Sequence, residues 1–239
     1  MWYKPYPVMK WKEIPQSLLH LLYPHICAGC GQDIPDTETE LCLRCLHSLP
    51  ETCFEQHAGN PVENLFRGRL PLVAATAQFY FTKDSLMQHL LHLLKYKGRG
   101  DLGVYLGRLM GRQLSGSARL TADALVPLPL FPGRERKRGY NQATLLCKGM
   151  AEVMRLPILD KAITRPAHTD TQTKKGRVDR WMNMEGKFTV AHADMLRGKH
   201  LLLVDDVITT GATLEACGQE LLQVEDTRLS IATLCIASH

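Results

Sequence analysis

Two adjacent carboxylates, Asp205 and Asp206, follow the apolar run Leu201–Val204 and precede the turn Thr209-Thr210-Gly211-Ala212-Thr213. Ligands of open α/β sheets bind beyond the C-terminal ends of the strands, so a strand here would deliver the pair to a binding edge. The turn opens a helix, and its backbone N–H groups form an anion cradle with the helix N-terminus. Thr209, Thr210 and Thr213 add hydroxyl donors, and Gly211 lets the backbone come close to a phosphate. The carboxylates can accept hydrogen bonds from vicinal hydroxyls. A phosphate on the turn and a diol on the carboxylates together describe a ribose 5-phosphate. Two other readings compete. A Walker-B-like strand end needs a G-x-x-x-x-G-K-[ST] partner, and the chain has none. A purely structural strand-turn-helix sets two exposed carboxylates side by side, in repulsion with nothing gained.

Four cysteines fall as Cys27-Ala-Gly-Cys30 and Cys42-Leu-Arg-Cys45. Paired Cys-x2-Cys turns have the ligand spacing of a structural zinc site. Four thiolates close the tetrahedron, so such a metal builds structure and leaves no open position. Disulfides or a redox pair are the other readings; a reducing cytosol opposes the first and the presence of two doublets the second. Cys53, His25, His47 and His57 lie nearby as lesser ligand candidates, and Cys147, Cys217 and Cys235 read as buried thiols.

The formal net charge of +5 conceals a division along the chain. Residues 61–180 carry +12 between acidic ends of −3 and −4. A basic stretch of that size suits a polyanion, or it is a solvated face. The composition, 45% hydrophobic and 22% charged, is that of a globular chain. No apolar run reaches the ~20 residues of a membrane span. The prolines and lysines of the first residues do not suit a signal peptide, so a soluble cytoplasmic protein is expected.

Gly98-Arg-Gly100-Asp-Leu-Gly103 matches G-x-G-x-x-G, but the residues before it have helical spacing. The dinucleotide fingerprint requires a strand there, so this match is set aside.

The carboxylate-turn segment resembles the PRPP-binding motif of type I phosphoribosyltransferases. The chain from about 20 to 237 resembles the ComF (competence protein F, also GntX) family within that superfamily. Tyr23-Pro24 with the cysteine doublets resembles the family's N-terminal zinc module. Leu94-Lys95-Tyr96-Lys97-Gly98 resembles its Lys-Tyr segment, and Val126–Gln142 its Pro-rich, Arg-Gly-aromatic-Asn-Gln block. Gln172, Thr173, Arg180, Asn183 and Phe188 fall at the family's later positions.

The resemblance implies a type I phosphoribosyltransferase-like α/β fold behind a small four-cysteine, zinc-ribbon-like module. The module and a leading helix would occupy residues 1–60, and the larger domain 61–239, with its core at about 121–239. It implies that Asp205 and Asp206 hold the ribose hydroxyls and residues 209–213 the 5-phosphate. A loop carrying Arg134 and Arg138 would meet pyrophosphate, though a solvated loop is the other reading of those charges. A hood over 165–188 would bring Lys174, Lys175, Arg177 and Arg180 to the site; a long basic loop of this kind can equally be disordered. Mg2+ would accompany PRPP, held mostly by the ligand itself. The acceptor is not readable, since nothing points to purine, orotate or uracil. The family's link to DNA uptake implies a competence-related or nucleotide-salvage role. Two functions stand: a phosphoribosyltransferase of unidentified acceptor, and a non-catalytic module that senses PRPP or grips single-stranded DNA beside a DNA-uptake helicase. Aromatic content is 7%, without an interleaved stacking platform.

Elements must then position these groups. Helical spacing or caps predict helices over 14–23, 84–96 with Asp84 as N-cap, 101–114, 141–154 with Asn141 as cap, and 212–223. Strands are expected over 70–81, 125–130, 200–204 and 229–236, with a boundary at 50–65. Strands alternating with helices indicate a largely parallel sheet.

Overall fold

The computed structural model describes residues 24–166 and 188–237. It divides into two compact units, Met1–His47 and Ser48–His239. The helix expected over 14–23 lies outside the described residues. Among the described residues, no helix is long and apolar enough to cross a membrane.

In the first unit, the Gly31 N–H donates to the Cys27 carbonyl at 2.9 Å, and Gly31 has φ 73°. That left-handed turn is where glycine is favoured. The second cysteine pair begins the short helix α1 (Leu43–His47).

The second unit holds a four-stranded parallel sheet among the described residues. Its strands are β1 (Ala75–Phe81), β2 (Ala124–Pro127), β5 (His200–Ile208) and β6 (Arg228–Ala237), in the spatial order β1-β6-β5-β2. The short strands β3 (Ile163–Thr164) and β4 (Thr189–Val190) pair apart from it, antiparallel. Leu201 to Val204 are fully buried, as a central parallel strand covered on both faces requires. Leu203 stands beside Val126 on one flank and Ile231 on the other. The outer edge of β1 is covered by its own chain: Thr52 N–H donates to Gln78 and Tyr80 N–H to Pro50. This protects an edge that would otherwise pair with another molecule.

Among the described residues, this unit also holds helices α2 (Pro61–Phe66), α3 (Leu86–Tyr96), α4 (Gly100–Ser115), α5 (Pro132–Arg138), α6 (Gln142–Met154) and α7 (Ala212–Leu222). Asn60 caps α2, accepting from Val62 and Glu63 N–H groups, and its amide donates to the Ala75 carbonyl at 2.9 Å. Ser85, not Asp84, caps α3: its hydroxyl accepts from Gln88 N–H, and the Gln88 side chain accepts from Asp84 N–H. Asp84 sits one residue outside, at φ 58°. Helices α4 and α6 approach closely through glycine. A β-carbon on Gly103 would stand 2.9 Å from Leu145 and Leu94, and one on Gly107 or Gly149 would overlap the facing helix's backbone. The G-x-G-x-x-G match therefore runs from the turn after helix α3 into the start of α4, and Gly103 belongs to the α4–α6 packing seam.

Other sequence expectations change too: the strand expected over 70–81 begins at Ala75. The strand expected over 125–130 ends at Pro127, and the segment Arg134–Arg138 is helix, not loop. Pro132 opens that helix and Gly139, at φ 84°, closes it. Arg136, Lys137 and Arg138 occupy its last turn, where cations are favoured.

Candidate functional site

β2 stops pairing with β5 at Pro127, opposite Val204. The Leu128 N–H still donates to the Val204 carbonyl at 2.8 Å, and then Pro129, without a donor, takes the chain off the sheet. Beyond Val204, β5 continues beside β6 alone, with Asp205 opposite Thr233 and Ile208 opposite Ile236. One flank of β5 is thus open where the two carboxylates sit. Both line a cavity of about 380 Å³.

Among the described residues, four cations line the same cavity: Lys95 from the last turn of α3, Arg134 and Arg138 from α5, and Arg165 just after β3. Lys95 Nζ lies 2.8 Å from Asp206 Oδ2. The Asp206 N–H donates to Asp205 Oδ1 at 2.8 Å. Arg138 donates to Gln142 Oε1 at 2.6 Å, and its guanidinium lies 5.7 Å from the Tyr96 ring centre. Arg165 stacks over the Phe188 ring at 5.2 Å. Asn141, capping α6, donates from its amide to the Leu128 carbonyl at 2.9 Å and so ties α6 to the cavity wall.

The turn after β5 closes the other side. Ala212 and Thr213 line the cavity, Thr209 and Thr210 are exposed on the turn, and Gly211 is buried at φ 76°. Arg69 braces this turn, donating to the Thr210 carbonyl at 3.3 Å and pairing with Glu215 in the first turn of α7. Burial, and then the neighbouring Asp206 charge, push the Asp205 carboxyl up to about 8. The Asp206 N–H, Lys95 and Arg165 oppose that rise. At neutral pH the Asp205 carboxyl is therefore biased towards its protonated form.

Of the residues singled out from sequence, the structure brings Asp205, Asp206, Ala212, Thr213, Arg134 and Arg138 to one cavity. Lys174, Lys175, Arg177 and Arg180 lie outside the described residues. Sequence reasoning did not select Lys95, Gln142 or Arg165 as site residues. The signal available was the Lys-Tyr segment for Lys95 and the Asn-Gln block for Gln142; for Arg165 it was its place at the start of the 165–188 segment expected to cover the site.

In the first unit, the sulfurs of Cys27, Cys30, Cys42 and Cys45 all lie within 4.8 Å of one another. Cys30 Sγ and Cys42 Sγ are 3.7 Å apart. That is far beyond a disulfide bond, and close to the ~3.8 Å edge of a tetrahedron with Zn–S bonds of ~2.3 Å. The Cys27 sulfur accepts from the N–H groups of Cys42 at 3.3 Å and Gly29 at 3.4 Å. Burial alone would raise the Cys27 thiol, but backbone donors from Cys42, Cys30 and Gly29 bring it down to about 6. Cys45 is pushed up by burial and then by the neighbouring sulfurs. The donor set and its spacing are compatible with a structural zinc site. His25 is engaged elsewhere, with its Nε2 2.6 Å from the Thr39 carbonyl oxygen.

Residues 145–239 match the phosphoribosyl transferase domain. DNA utilization protein YhgH of Salmonella typhimurium is 31% identical over 227 residues, covering 93% of this chain and 94% of that one. Competence protein F of Haemophilus influenzae is 28% identical, covering 82% and 83%. Among solved structures, glutamine phosphoribosylpyrophosphate amidotransferase from B. subtilis is 16% identical with a TM-score of 0.39, covering 55% of this chain and 26% of that one. With the parallel sheet, the flanking helices and the four-cysteine cluster already in place, the near end-to-end match to YhgH shows that the chain belongs to the family of DNA utilization protein YhgH and competence protein F, proteins with a phosphoribosyltransferase-type domain.

Proposed function

We propose that this chain is a phosphoribosyltransferase-like protein that binds PRPP, or ribose 5-phosphate, at the open end of β5. Its role is in the uptake or utilisation of external DNA, the process named for its YhgH and competence relatives, with nucleotide salvage as the related setting. One observation carries the reading: Asp205 and Asp206 share a cavity with Thr213 at the start of α7 and with the cations of α5. Asp205 and Asp206 accept from the ribose hydroxyls. The turn 209–213 and the first N–H groups of α7 hold the 5-phosphate. Arg134 and Arg138 face the diphosphate, and guanidinium forks suit its oxygens. Mg2+ neutralises charge on the diphosphate and comes largely with the ligand.

In the transfer reaction the bond from ribose C1 to the diphosphate oxygen breaks, and a bond from C1 to an acceptor nucleophile forms. The diphosphate leaves with the bonding electron pair. The chain's own contribution is positioning and stabilisation of charge away from water. The four-cysteine cluster holds Zn2+ that fixes the first unit's fold and does no chemistry.

The test is pyrophosphate release from PRPP and Mg2+ with candidate bases, repeated with Asp205→Asn and Asp206→Asn combined. Release that survives the double substitution overturns the site assignment. A second reading rests on the exposed cations Arg134 and Lys137 of α5, which share a cavity with the exposed Tyr96 ring. On that reading the fold senses PRPP or grips single-stranded DNA without transfer. Absent release together with single-strand binding that falls steeply with salt supports it over the enzyme.

A further inference from the structure

The last turn of α3 meets three parts of the site with three consecutive residues. The Leu94 carbonyl accepts from the Tyr140 hydroxyl at 2.6 Å. Lys95 pairs with Asp206 at 2.8 Å, and the Tyr96 ring faces Arg138. A lysine ordinarily keeps its ammonium in water on a flexible stem. Here the Lys95 side chain is only 22% exposed, and its partner Asp206 13%.

Lys95 also lines two cavities. One contains the carboxylates. The other, of about 430 Å³, has Arg134, Lys137 and Arg138 as its remaining charged lining. Arg134 and Arg138 line both cavities as well. The 2.8 Å contact with Asp206 sets the Lys95 ammonium against a group read as holding the ribose, on a wall shared with the cations read as facing the diphosphate. A diphosphate beside the Asp206 carboxylate meets like charge. A fixed cation on Asp206 offsets that repulsion, and an ammonium's three donors leave room for a phosphate oxygen as well. The 5-phosphate is assigned to the turn before α7, whose Ala212 and Thr213 line only the first of these two cavities.

We propose that Lys95 is the specificity-determining residue that makes this site prefer a diphosphorylated pentose over a monophosphorylated one, its ammonium serving Asp206 and the diphosphate together. The inference rests on the phosphoribosyl reading above. It adds a discriminating role to a residue outside the carboxylate-turn motif and the basic helix.

Calorimetric titration tests it with Mg-PRPP, Mg-pyrophosphate and ribose 5-phosphate, on the full chain and on Lys95→Met, Lys95→Gln and Lys95→Arg. The Met and Gln variants should lose about tenfold or more in affinity for the two diphosphates, the scale of one charge-assisted hydrogen bond. Ribose 5-phosphate should change by less than about threefold, and Lys95→Arg should recover most of the lost preference. If the Met variant fails to fold, the Gln variant carries the comparison. An equal loss for all three ligands means a merely structural role and overturns the inference. So does an unchanged ratio between diphosphate and monophosphate. A wild-type chain that binds none of the three overturns the phosphoribosyl reading itself, and the inference with it. That outcome is distinct from normal wild-type binding with an indifferent Lys95.

Discussion

Phe66 lies against Gly211: a β-carbon on the glycine would stand 3.0 Å from two atoms of the ring. Gly211 is also at φ 76°, where an L-residue is strained. Two independent constraints thus hold the turn that is proposed to carry the 5-phosphate. Gly211→Ala should destabilise the protein by ~2 kcal/mol, combining the left-handed backbone penalty with displacement of a ring that is 1% exposed. Urea unfolding measures the stability term. Ribose 5-phosphate affinity should fall in the same variant, because the turn's N–H groups move. Unchanged stability would show that Phe66 does not fix the turn.

The raised Asp205 carboxyl makes a stability prediction with a definite sign. In the unfolded chain the group ionises near its ordinary value of 3.8, and in the fold at about 8. Between those values the native state binds the extra proton, so stability falls as pH rises. The full cost of the charge is present above pH 8 and absent below about 4. Asp205→Asn removes that cost. Its melting temperature should exceed the wild type's by a few degrees at pH 8.5, on the scale of ~2–4 °C per kcal/mol for a chain of this size. The gap should close as pH approaches 4. A gap that is constant with pH would mean that burial and Asp206 do not hold the proton on Asp205. The wild-type residue keeps this destabilising carboxyl at the place proposed to accept from the ribose diol.

Much of this site was legible from residue type and spacing. Asp205 and Asp206 stood out because an apolar run, two carboxylates and a Thr-Gly turn leave few other arrangements. The cysteine doublets stood out because two-residue spacing is itself a geometry. The helical state of Arg134–Arg138 was not legible, because a dense charge run carries no apolar period; Pro132 and Gly139 were the caps that marked it. The 50–65 segment looked like a polar boundary, yet it contains Asn60 and the start of α2, which puts Phe66 against the turn before α7. Lys95 had a signal in the Lys-Tyr segment, but its pairing with Asp206 is a tertiary fact that no local pattern carries.

Thiol chemistry separates the cysteines into three classes. Cys53 is exposed and should react with an aromatic disulfide reagent at once. Cys27, Cys30, Cys42 and Cys45 should react only after chelation, with release of one zinc per chain. Cys147, Cys217 and Cys235 are fully buried, and burial pushes their thiols up, so they should stay silent until global unfolding. Metal analysis of Cys27→Ser and Cys42→Ser completes the test. Wild-type protein without metal, or variants that retain it, would remove the zinc assignment. Hydrogen exchange on chelated protein should show loss of protection in the described part of the first unit and retention in β5 and β6.

The glycine seam links packing to the site at a distance. A β-carbon on Gly149 would overlap the Val104 carbonyl of α4, and relief requires α4 and α6 to separate. Helix α6 begins at Gln142, which lines the cavity and holds Arg138, and is capped by Asn141, which is tied to Leu128. Gly149→Ala should therefore cost ~1–3 kcal/mol in urea unfolding, as overpacking does. It should also weaken pyrophosphate binding, although Gly149 does not line the cavity. Gly116→Ala provides the contrast. Its added carbon would meet the Gln113 carbonyl at an ordinary 3.6 Å, at φ −83°, so its effect should stay within about 1 kcal/mol in either direction. If the two variants are equally mild, the helices are not in backbone contact. If Gly149→Ala destabilises without touching pyrophosphate affinity, the Asn141–Leu128 tie alone positions the Arg138 side of the cavity.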